Sequence, residues 1–301
     1  MGLDDVRAAA ERIAGRVLRT PLLSTVDHPL LVKPENLQPT GAFKLRGATN
    51  AVLRLGHSAG VVTHSSGNHA QAVALAAREA GLPATVVMPE GAVAAKVAAT
   101  RALGADVVLV PYPERQRVTD ALAAEHGWTF VPPYDHEDVI AGQGTVALEI
   151  VADLPDVDLV LVPVGGGGLA SGVVTAVRAL RPGAAVVGVE PEVAADAADS
   201  LRRGERVAWD PARTATTAAD GVRHSVVGEL TWEYLRGLDD IVTVSEEELA
   251  AAAGFLETRF RIVAEPSGAL ATAAFLYRRD TLPGGRTVAV VSGGNRAGPS
   301  G

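Results

Sequence analysis

The chain has 301 residues, of which 48% are hydrophobic and none is cysteine, and its formal net charge at pH 7 is −8. This length is typical of one large or two modest globular domains, and the acidic balance argues against a nucleic-acid partner, which would need a surface rich in Lys and Arg. Without cysteine, disulfides, thiolate metal sites and cysteine catalysis are excluded.

Two segments could be considered as a signal peptide or a membrane span, but the residues of each argue against that interpretation. Residues 1–16 carry charged side chains at helical spacing instead of the apolar run of a signal peptide. The most apolar window, residues 157–177, is interrupted by Asp158, Pro163 and four successive glycines, so it does not suit a membrane span. We therefore expect a cytoplasmic protein without a membrane partner.

Short β-branched runs alternate along the chain with alanine-rich helical stretches. The predicted strands are, in chain order, residues 60–63, 84–88, 106–110, 159–162, 185–189 and 287–291. The predicted helices are residues 70–80, 94–103, 117–125, 146–152 and 169–180. This alternation indicates βαβ units and a doubly wound α/β fold, and the continuous apolar runs indicate strands buried on both faces.

The Pro132–Pro133 pair and the glycine-rich turn at Gly165 indicate two open-sheet lobes that meet at a cleft. We expect a small domain over residues 53–135, and a large domain formed by residues 1–52 and 136–301. Open α/β sheets bind ligands at the carboxyl ends of their strands, so we expect the ligand site in the cleft.

Lys44 is one of only three lysines among 27 basic residues, and it lies between apolar neighbours. Arginine can supply a solvated positive charge, but a lysine amine can also lose its proton and form an imine with an aldehyde. Lys44 is therefore a candidate nucleophile or base. A lysine whose aliphatic stem lies along apolar surface at a helix start would fit this segment equally well.

Four consecutive glycines follow a predicted buried strand and precede a helix: Gly165, Gly166, Gly167 and Gly168. Backbone N–H groups at such a helix start can bind a phosphate. A tight turn without a ligand is disfavoured, because each glycine costs conformational entropy. The loop also fits a loose dinucleotide fingerprint with Glu190 as the ribose ligand, but that interpretation leaves Lys44 unexplained.

Polar side chains also follow two other predicted strands. Ser65, Ser66, Asn68 and His69 lie between a strand end and a helix start, where they could surround a carboxylate or a ring oxygen. N-capping of the helix is the alternative interpretation. Ser292 follows the last predicted strand, at the end where open sheets bind ligands, although a simple C-terminal turn would also fit.

Six ordered segments carry a resemblance to a known family: KPENLQPTGAFKLRG (33–47), THSSGNH (63–69), IAGQGT (140–145), GGGG (165–168), EPSGA (265–269) and SGGN (292–295). Over nearly the whole chain, their order and spacing resemble fold-type II pyridoxal-phosphate enzymes of the serine racemase and serine/threonine dehydratase group, which includes threo-3-hydroxyaspartate dehydratases. The resemblance implies a tryptophan synthase β-like fold with two lobes, pyridoxal 5'-phosphate in the cleft between them, and a homodimer.

The resemblance also implies cofactor-binding roles for individual residues. Lys44 would bind the cofactor aldehyde as an imine, and Asn68 would bond the phenolic oxygen of its ring. The four glycines would hold the phosphate, and Phe43 and Glu265 would lie beside the ring. Ser292 would face the pyridine nitrogen; because a serine hydroxyl does not protonate that nitrogen as a carboxylate would, the ring is a moderate electron sink that suits β-elimination.

The activity that the resemblance implies is an ammonia-lyase that converts serine, threonine or 3-hydroxyaspartate to a 2-keto acid and ammonia. Ser65, Asn68 and His69 would hold the substrate carboxylate while the Lys44 amine removes the α-proton. Ser66 on the opposite face would permit racemisation, so a serine- or aspartate-type racemase is the alternative. A β-replacement synthase and a non-catalytic nucleotide-binding protein fit fewer of the motifs.

Three further features concern a metal and the substrate. Glu190, Ala194 and Asp196 resemble the divalent-cation site of the same group, where two carboxylates and a backbone carbonyl suit Mg²⁺, Ca²⁺ or Mn²⁺; a solvated acidic loop is the alternative. Arg115 matches a position that can reach a substrate carboxylate, or it is a surface arginine. His224 stands near the substrate where the family usually has a small hydroxyl residue, which leaves the specificity open.

Overall fold

The structure is a computed structural model, and it describes residues 1–296. Residues 297–301, the end of the predicted large domain, lie outside the described residues. The α-helices are α1 (Leu3–Ile13), α2 (Lys44–Arg54), α3 (Asn68–Glu79), α4 (Ala94–Ala102), α5 (Arg115–His126), α6 (Glu137–Asp153), α7 (Gly168–Leu180), α8 (Asp196–Arg203), α9 (Pro211–Thr214), α10 (Glu229–Leu235), α11 (Glu246–Phe255) and α12 (Pro266–Tyr277). Within residues 1–296, no helix has both the length and the apolar character needed to cross a membrane.

The strands form two sheets. They are β1 (Leu23–Thr25), β2 (His28–Pro34), β3 (Val61–His64), β4 (Ala84–Pro89), β5 (Asp106–Val110), β6 (Thr129–Phe130), β7 (Leu159–Pro163), β8 (Ala185–Pro191), β9 (Asp240–Val244) and β10 (Thr287–Val291). The larger sheet has the order β1-β2-β10-β7-β8-β9, with only the β1–β2 pair antiparallel. The smaller sheet has the order β5-β4-β3-β6 and is parallel. The predicted α/β class with two open sheets is confirmed.

The central strands of the larger sheet are buried on both faces. All residues of β7 and β10 are buried. Val160 and Val162 pack in one core with Val173 of α7, whereas Leu159 and Leu161 pack in a second core that includes α12. Because successive side chains of a strand point to opposite faces, a strand between two cores has to be apolar throughout.

Each of the six predicted strands is present, but β1, β2, β6 and β9 were missed. Strand β2 contains Pro29 and the buried Lys33, and β9 is a partly exposed strand at the edge of its sheet, so neither is a continuous apolar run. Helix α6 begins well before the predicted residue 146. Its first half contains Gly142 and Gly144, whose missing side chains let α6 approach α2 and α7 closely.

A buried ion network anchors the helix that begins at Lys44. The Arg46 guanidinium of α2 donates to both carboxylate oxygens of Glu35, at 2.7 and 2.8 Å, and to both oxygens of Glu149. Lys33, which is fully buried, also donates to Glu149. Burial alone would raise the pKa of Glu35, but Arg46 outweighs it and holds that pKa below its usual range. The network therefore pairs two acidic with two basic side chains inside the protein.

Candidate active site

Lys44 lies next to the carboxyl end of β10 in the larger sheet. It is the first residue of α2, and the two residues before it are bound to the segment that follows β10. Ala42 forms an isolated bridge with Gly293, and the Phe43 N–H donates to the Ser292 carbonyl at 3.0 Å. This pairing brings the Lys44 and Ser292 regions together, although 248 residues separate them in the sequence.

The Lys44 amine is enclosed by backbone and aromatic groups. Its Nζ donates to the Pro133 carbonyl at 2.5 Å and lies 5.2 and 6.0 Å from the ring centroids of Phe43 and Tyr134. Carboxylates are absent from these contacts, and burial lowers the pKa of Lys44 to about 8. The amine is therefore neutral over a wider pH range than an exposed lysine, as a nucleophile or base requires.

The lowered pKa of Lys44 predicts amine reactivity at an unusually low pH. Because only the neutral amine reacts, acetic anhydride should modify Lys44 of the ligand-free protein with a midpoint near pH 8, compared with about 10.4 for an ordinary lysine. Mass spectrometry of labelled peptides across a pH series measures this midpoint. In urea-unfolded protein the midpoint should return to about 10.4, and a folded-state midpoint equal to the unfolded one would contradict the effect of burial.

The glycine loop connects β7 to α7. Gly167 has a φ of +95°, which favours glycine, and α7 begins at Gly168. A Cβ atom at Gly165 would lie 3.0 Å from His224 Nδ1, and one at Gly168 would lie 2.9 Å from Tyr134 Cβ. The His224 ring therefore packs directly on Gly165, and the Tyr134 ring packs on Gly166, where the backbone lacks side chains. The N–H groups at the start of α7 provide the donors that a phosphate needs.

Asn68 is bound on both sides of its carboxamide. It is the first residue of α3, and its Nδ2 donates to Glu265 Oε1 at 2.6 Å while its Oδ1 accepts from Asn295 Nδ2 at 2.9 Å. Ser65 and Ser66 lie half-buried in the turn between β3 and α3. The turn after β3 is thus joined to residues that follow β10 and precede α12.

His69 is buried, and its ring is not positioned as a positively charged ligand for a carboxylate would be. Its ring is 2% exposed, and Nε2 donates to the Val131 carbonyl at 2.9 Å, so Nδ1 is left as an acceptor without a partner among residues 1–296. Burial, with the nearby Lys44 charge, lowers the pKa of His69 to about 3. The ring is therefore neutral and faces the segment after β6.

Glu265 and Ser292 lie where α12 meets the end of β10. The Glu265 N–H donates to the Gly293 carbonyl at 3.0 Å, and Ser292 Oγ donates to the Ser267 carbonyl at 3.3 Å. Burial raises the pKa of Glu265 to about 7, an effect to which Asp220 adds. This carboxyl group can therefore exchange a proton near neutral pH.

His224 lies over the glycine loop beside Tyr134. The two rings meet edge to face with centroids 4.9 Å apart, and His224 Nδ1 is buried without a partner in the described part of the chain. Burial and the Lys44 charge lower the pKa of His224 to about 4. A neutral ring with an unpaired nitrogen is thus available to a ligand.

Arg115 begins α5, where the next residue, Gln116, bonds His64 at the end of β3. The Arg115 guanidinium stacks on the Tyr112 ring at 3.7 Å, and Nε donates to the Tyr112 carbonyl. Among residues 1–296, no hydrogen bond joins Arg115 to Lys44, Asn68 or Ser292.

Glu190 and Asp196 form a buried acidic pair at the end of β8 and the start of α8. Both Glu190 oxygens accept backbone N–H bonds, from Ala197 at 3.2 Å and Ala198 at 2.7 Å. Asp196 Oδ2 is buried without a partner among the described residues. Burial raises the pKa of both acids, that of Asp196 to about 7. Because the part of the chain in the structure holds no cluster of three acidic or histidine side chains here, a cation would also need a backbone oxygen such as that of Ala194.

Two residues of the cluster were missed from the sequence. Tyr134 touches the glycine loop, His224 and the surroundings of Lys44, and Asn295 bonds Asn68. The signals were an aromatic residue directly after Pro132–Pro133 and the asparagine that ends the SGGN segment. Neither signal specifies a contact, since both contacts depend on how distant segments pack.

The chain is similar to known proteins over nearly its whole length. The chain is 45% identical over 303 residues to an L-threo-3-hydroxyaspartate ammonia-lyase of Saccharomyces cerevisiae, with 97% of this chain and 92% of the relative covered. It is 42% identical to a serine racemase of Schizosaccharomyces pombe, covering 97% and 93%. The solved T.th. threonine deaminase superposes with a TM-score of 0.93 and 46% identity, covering 98% and 99%. Residues 13–293 match the model of the pyridoxal-phosphate dependent enzymes, so the predicted family is confirmed and the chain belongs to it.

Proposed function

We propose that the chain is an ammonia-lyase that converts a small β-hydroxy amino acid, serine, threonine or 3-hydroxyaspartate, to a 2-keto acid and ammonia. The observation that carries the proposal is the enclosed Lys44 amine, which lies beside Tyr134 of the glycine-loop contact and next to the segment that contains Ser292. The relatives named as hydroxyaspartate and threonine ammonia-lyases support the same reaction class.

The donor set of the cluster fits pyridoxal 5'-phosphate. Lys44 would hold its aldehyde carbon, the glycine loop its phosphate, Asn68 its phenolic oxygen and Ser292 its pyridine nitrogen, with Phe43 and Glu265 beside the ring. The unpaired His224 Nδ1 and the side-chain-free backbone of the loop are the structural observations that support this fit. When bound, the cofactor withdraws electrons from the substrate and makes its α-proton acidic.

The protein residues bind the substrate and move its protons. The Ser65 hydroxyl and the N–H groups at the start of α3 would hold the carboxylate, next to the neutral His69 ring. Lys44 Nζ accepts the α-proton, which it can do because burial favours its neutral form. Loss of the β-hydroxyl as water and later uptake of water leave a keto acid and ammonia. We also propose that Arg115 and His224 contact the substrate.

A substrate panel tests the proposed reaction. We expect the purified holoenzyme to form keto acid and ammonia in equal amounts from at least one of L-Ser, L-Thr and the 3-hydroxyaspartate isomers. Coupled assays for both products measure this. An absence of keto acid with every member of the panel, from protein that carries the cofactor, would contradict the lyase proposal.

Racemisation is the second candidate, favoured by the serine racemase relative and by Ser66. Ser66 is half-buried in the turn between β3 and α3, so its hydroxyl is available as a second acid–base group. Chiral analysis of unreacted L-Ser and D-Ser detects racemisation. Under this hypothesis Ser66→Ala lowers racemisation while elimination by Lys44 persists, and an equal loss of both activities would count against the opposite-face role.

We propose that Mg²⁺, or Ca²⁺ or Mn²⁺, binds Glu190, Asp196 and the Ala194 carbonyl. The buried, unpaired Asp196 Oδ2 supports this, since a cation would stabilise the charged forms of two acids that burial otherwise keeps neutral. At a Mg²⁺ concentration about a hundredfold above Kd, we expect the melting temperature to rise by roughly 5 °C. Asp196→Asn should remove this response.

Glu192→Gln is the matched control for the metal proposal. It removes one acidic charge close to the proposed site, but Glu192 pairs with Arg278 instead of facing Asp196. Its response to Mg²⁺ and to chelator should therefore equal that of the wild type. A wild-type melting temperature that changes with neither chelator nor Mg²⁺ would contradict cation binding.

We also propose a cytoplasmic homodimer with a small domain at residues 53–135 and a large domain at residues 1–52 and 136–301. The four-stranded sheet lies within the first range and the six-stranded sheet within the second, which supports the division.

The resemblance to the racemase and dehydratase group supports the dimer. Sedimentation equilibrium should give a mass near twice 30.9 kDa, and the mass of a single chain would contradict the dimer.

A further inference from the structure

The Asn295 side chain lies between three segments of the active-site cluster. Its Nδ2 donates to the Thr40 carbonyl at 2.7 Å and to Asn68 Oδ1 at 2.9 Å. Its carboxamide also lies directly on Gly41, where the φ of +72° and the lack of a side chain leave room for it. Asn295 therefore connects the segment that leads to Lys44 with the first residue of α3.

The bonds to Asn295 and Glu265 set which way the Asn68 carboxamide faces, and Asn295 supplies the donor for its oxygen. An asparagine amide has an oxygen that only accepts and a nitrogen that only donates, and rotation by 180° exchanges them. Because Asn295 donates to Asn68 Oδ1, the Asn68 Nδ2 is directed at Glu265 Oε1, 2.6 Å away. The reversed orientation would put two NH₂ groups against each other.

The Asn68 donor is the group that the proposed cofactor site requires. A ring oxygen that carries negative charge needs a donor, and an Asn68 held in the reversed orientation would present an acceptor instead. Asn295 itself is held by the Thr40 carbonyl, which fixes its own amide in the donating orientation. The two hydrogen bonds that link Thr40, Asn295 and Asn68 therefore each have a defined donor and acceptor.

We infer that Asn295 is a positioning residue that fixes the orientation of the Asn68 carboxamide toward the cofactor. It acts through Asn68 and does not touch the reacting atoms. This inference rests on the proposed function, since it assigns Asn68 the cofactor ring oxygen as its partner.

A double-mutant cycle tests the inference. The variants are Asn295→Ala, Asn68→Ala and the double variant, and the readout is the Kd of pyridoxal phosphate measured by equilibrium dialysis of the holoenzyme. Asn295→Ala should raise Kd about five- to tenfold, because one buried hydrogen bond and the orientation it sets are lost. In the Asn68→Ala background, the same substitution should change Kd by less than about twofold.

The controls separate positioning from a general loss of structure. Asn36→Ala removes a bond from the same region, to the Val263 carbonyl at 3.0 Å, but it leaves Asn68 untouched and should leave Kd unchanged. Asn295→Asp keeps the side-chain volume and guards against a variant that fails to fold. Because a carboxylate cannot donate to Asn68 Oδ1, it should also raise Kd; since it cannot donate to the Thr40 carbonyl either, the coupling to Asn68 is taken from the Asn295→Ala cycle.

The outcomes distinguish this inference from the proposed function. Additive effects of Asn295→Ala and Asn68→Ala on Kd, or an equal effect of Asn36→Ala, would overturn the positioning role even if the enzyme makes keto acid. A coupled cycle in a protein that makes no keto acid from any substrate would support the positioning role while contradicting the lyase proposal.

Discussion

Lys44→Arg is expected to abolish keto-acid formation, with a fall in kcat of at least about 10²–10⁴-fold from the loss of a general base alone. Arginine preserves the positive charge and nearly the length of the side chain. Its guanidinium stays protonated, however, so it can neither accept the α-proton nor form an imine. The site holds Lys44 among Pro133, Phe43 and Tyr134, and these contacts supply no other base.

Lys96→Arg is the matched control for this substitution. Lys96 of α4 pairs with Asp220 at 2.6 Å, and arginine can keep that ion pair. We expect its kcat to stay within about twofold of the wild type. Steady-state kinetics with keto-acid detection measure both variants. If Lys44→Arg kept more than a tenth of the wild-type kcat, Lys44 would not be the base.

Arg46→Met is expected to destabilise the protein by about 3–5 kcal/mol, because it leaves the fully buried Glu35 without its main partner. Methionine roughly preserves the volume of the aliphatic stem, so the effect reports mainly the lost ion pairs. Since Arg46 lies two residues after Lys44 on α2, cofactor binding should weaken as well. Urea unfolding of the purified protein measures the loss in the free energy of unfolding.

Arg54→Met on the same helix is the control that separates the loss of a buried ion pair from the loss of a positive charge. Arg54 also pairs with a carboxylate, Asp138 at 2.8 Å, but its side chain is 51% exposed. Exposed pairs contribute less than about 1 kcal/mol, so this variant should unfold almost like the wild type. Equal unfolding midpoints for Arg46→Met and Arg54→Met would contradict the stabilising role of the buried network.

The parts of the fold that follow local patterns could be predicted from the sequence. Strands β7 and β10 were found because burial on both faces requires continuous apolar runs. Strand β6, with two residues, carries too short a pattern, and the edge strand β9 is only partly buried. The first half of α6 was missed because Gly142 is unfavourable in an isolated helix, and its value appears only when α2 packs against it.

The chemistry of the site was predictable where residue type alone carries it. Lys44, Asn68, the glycine loop and Ser292 could be named as candidates from their residue types and from the resemblance to a known family, and their roles stay predictions. The structure added what depends on tertiary packing: Tyr134 lies on the glycine loop and Asn295 bonds Asn68. The neutral ring of His69 and the stacking of Arg115 on Tyr112 also follow from neighbours that are distant in sequence or depend on side-chain packing.

We expect Lys44 to carry the cofactor, and chemical trapping of the bond identifies the residue that does so. Borohydride reduction of the holoenzyme makes the bond between the cofactor and its amine permanent, and peptide mapping by mass spectrometry then locates it. With lysines only at 33, 44 and 96, the assignment is unambiguous. We predict a cofactor adduct on the peptide that contains Lys44. An adduct on Lys33 or Lys96, or unmodified Lys44 in protein that retained the cofactor, would contradict the account.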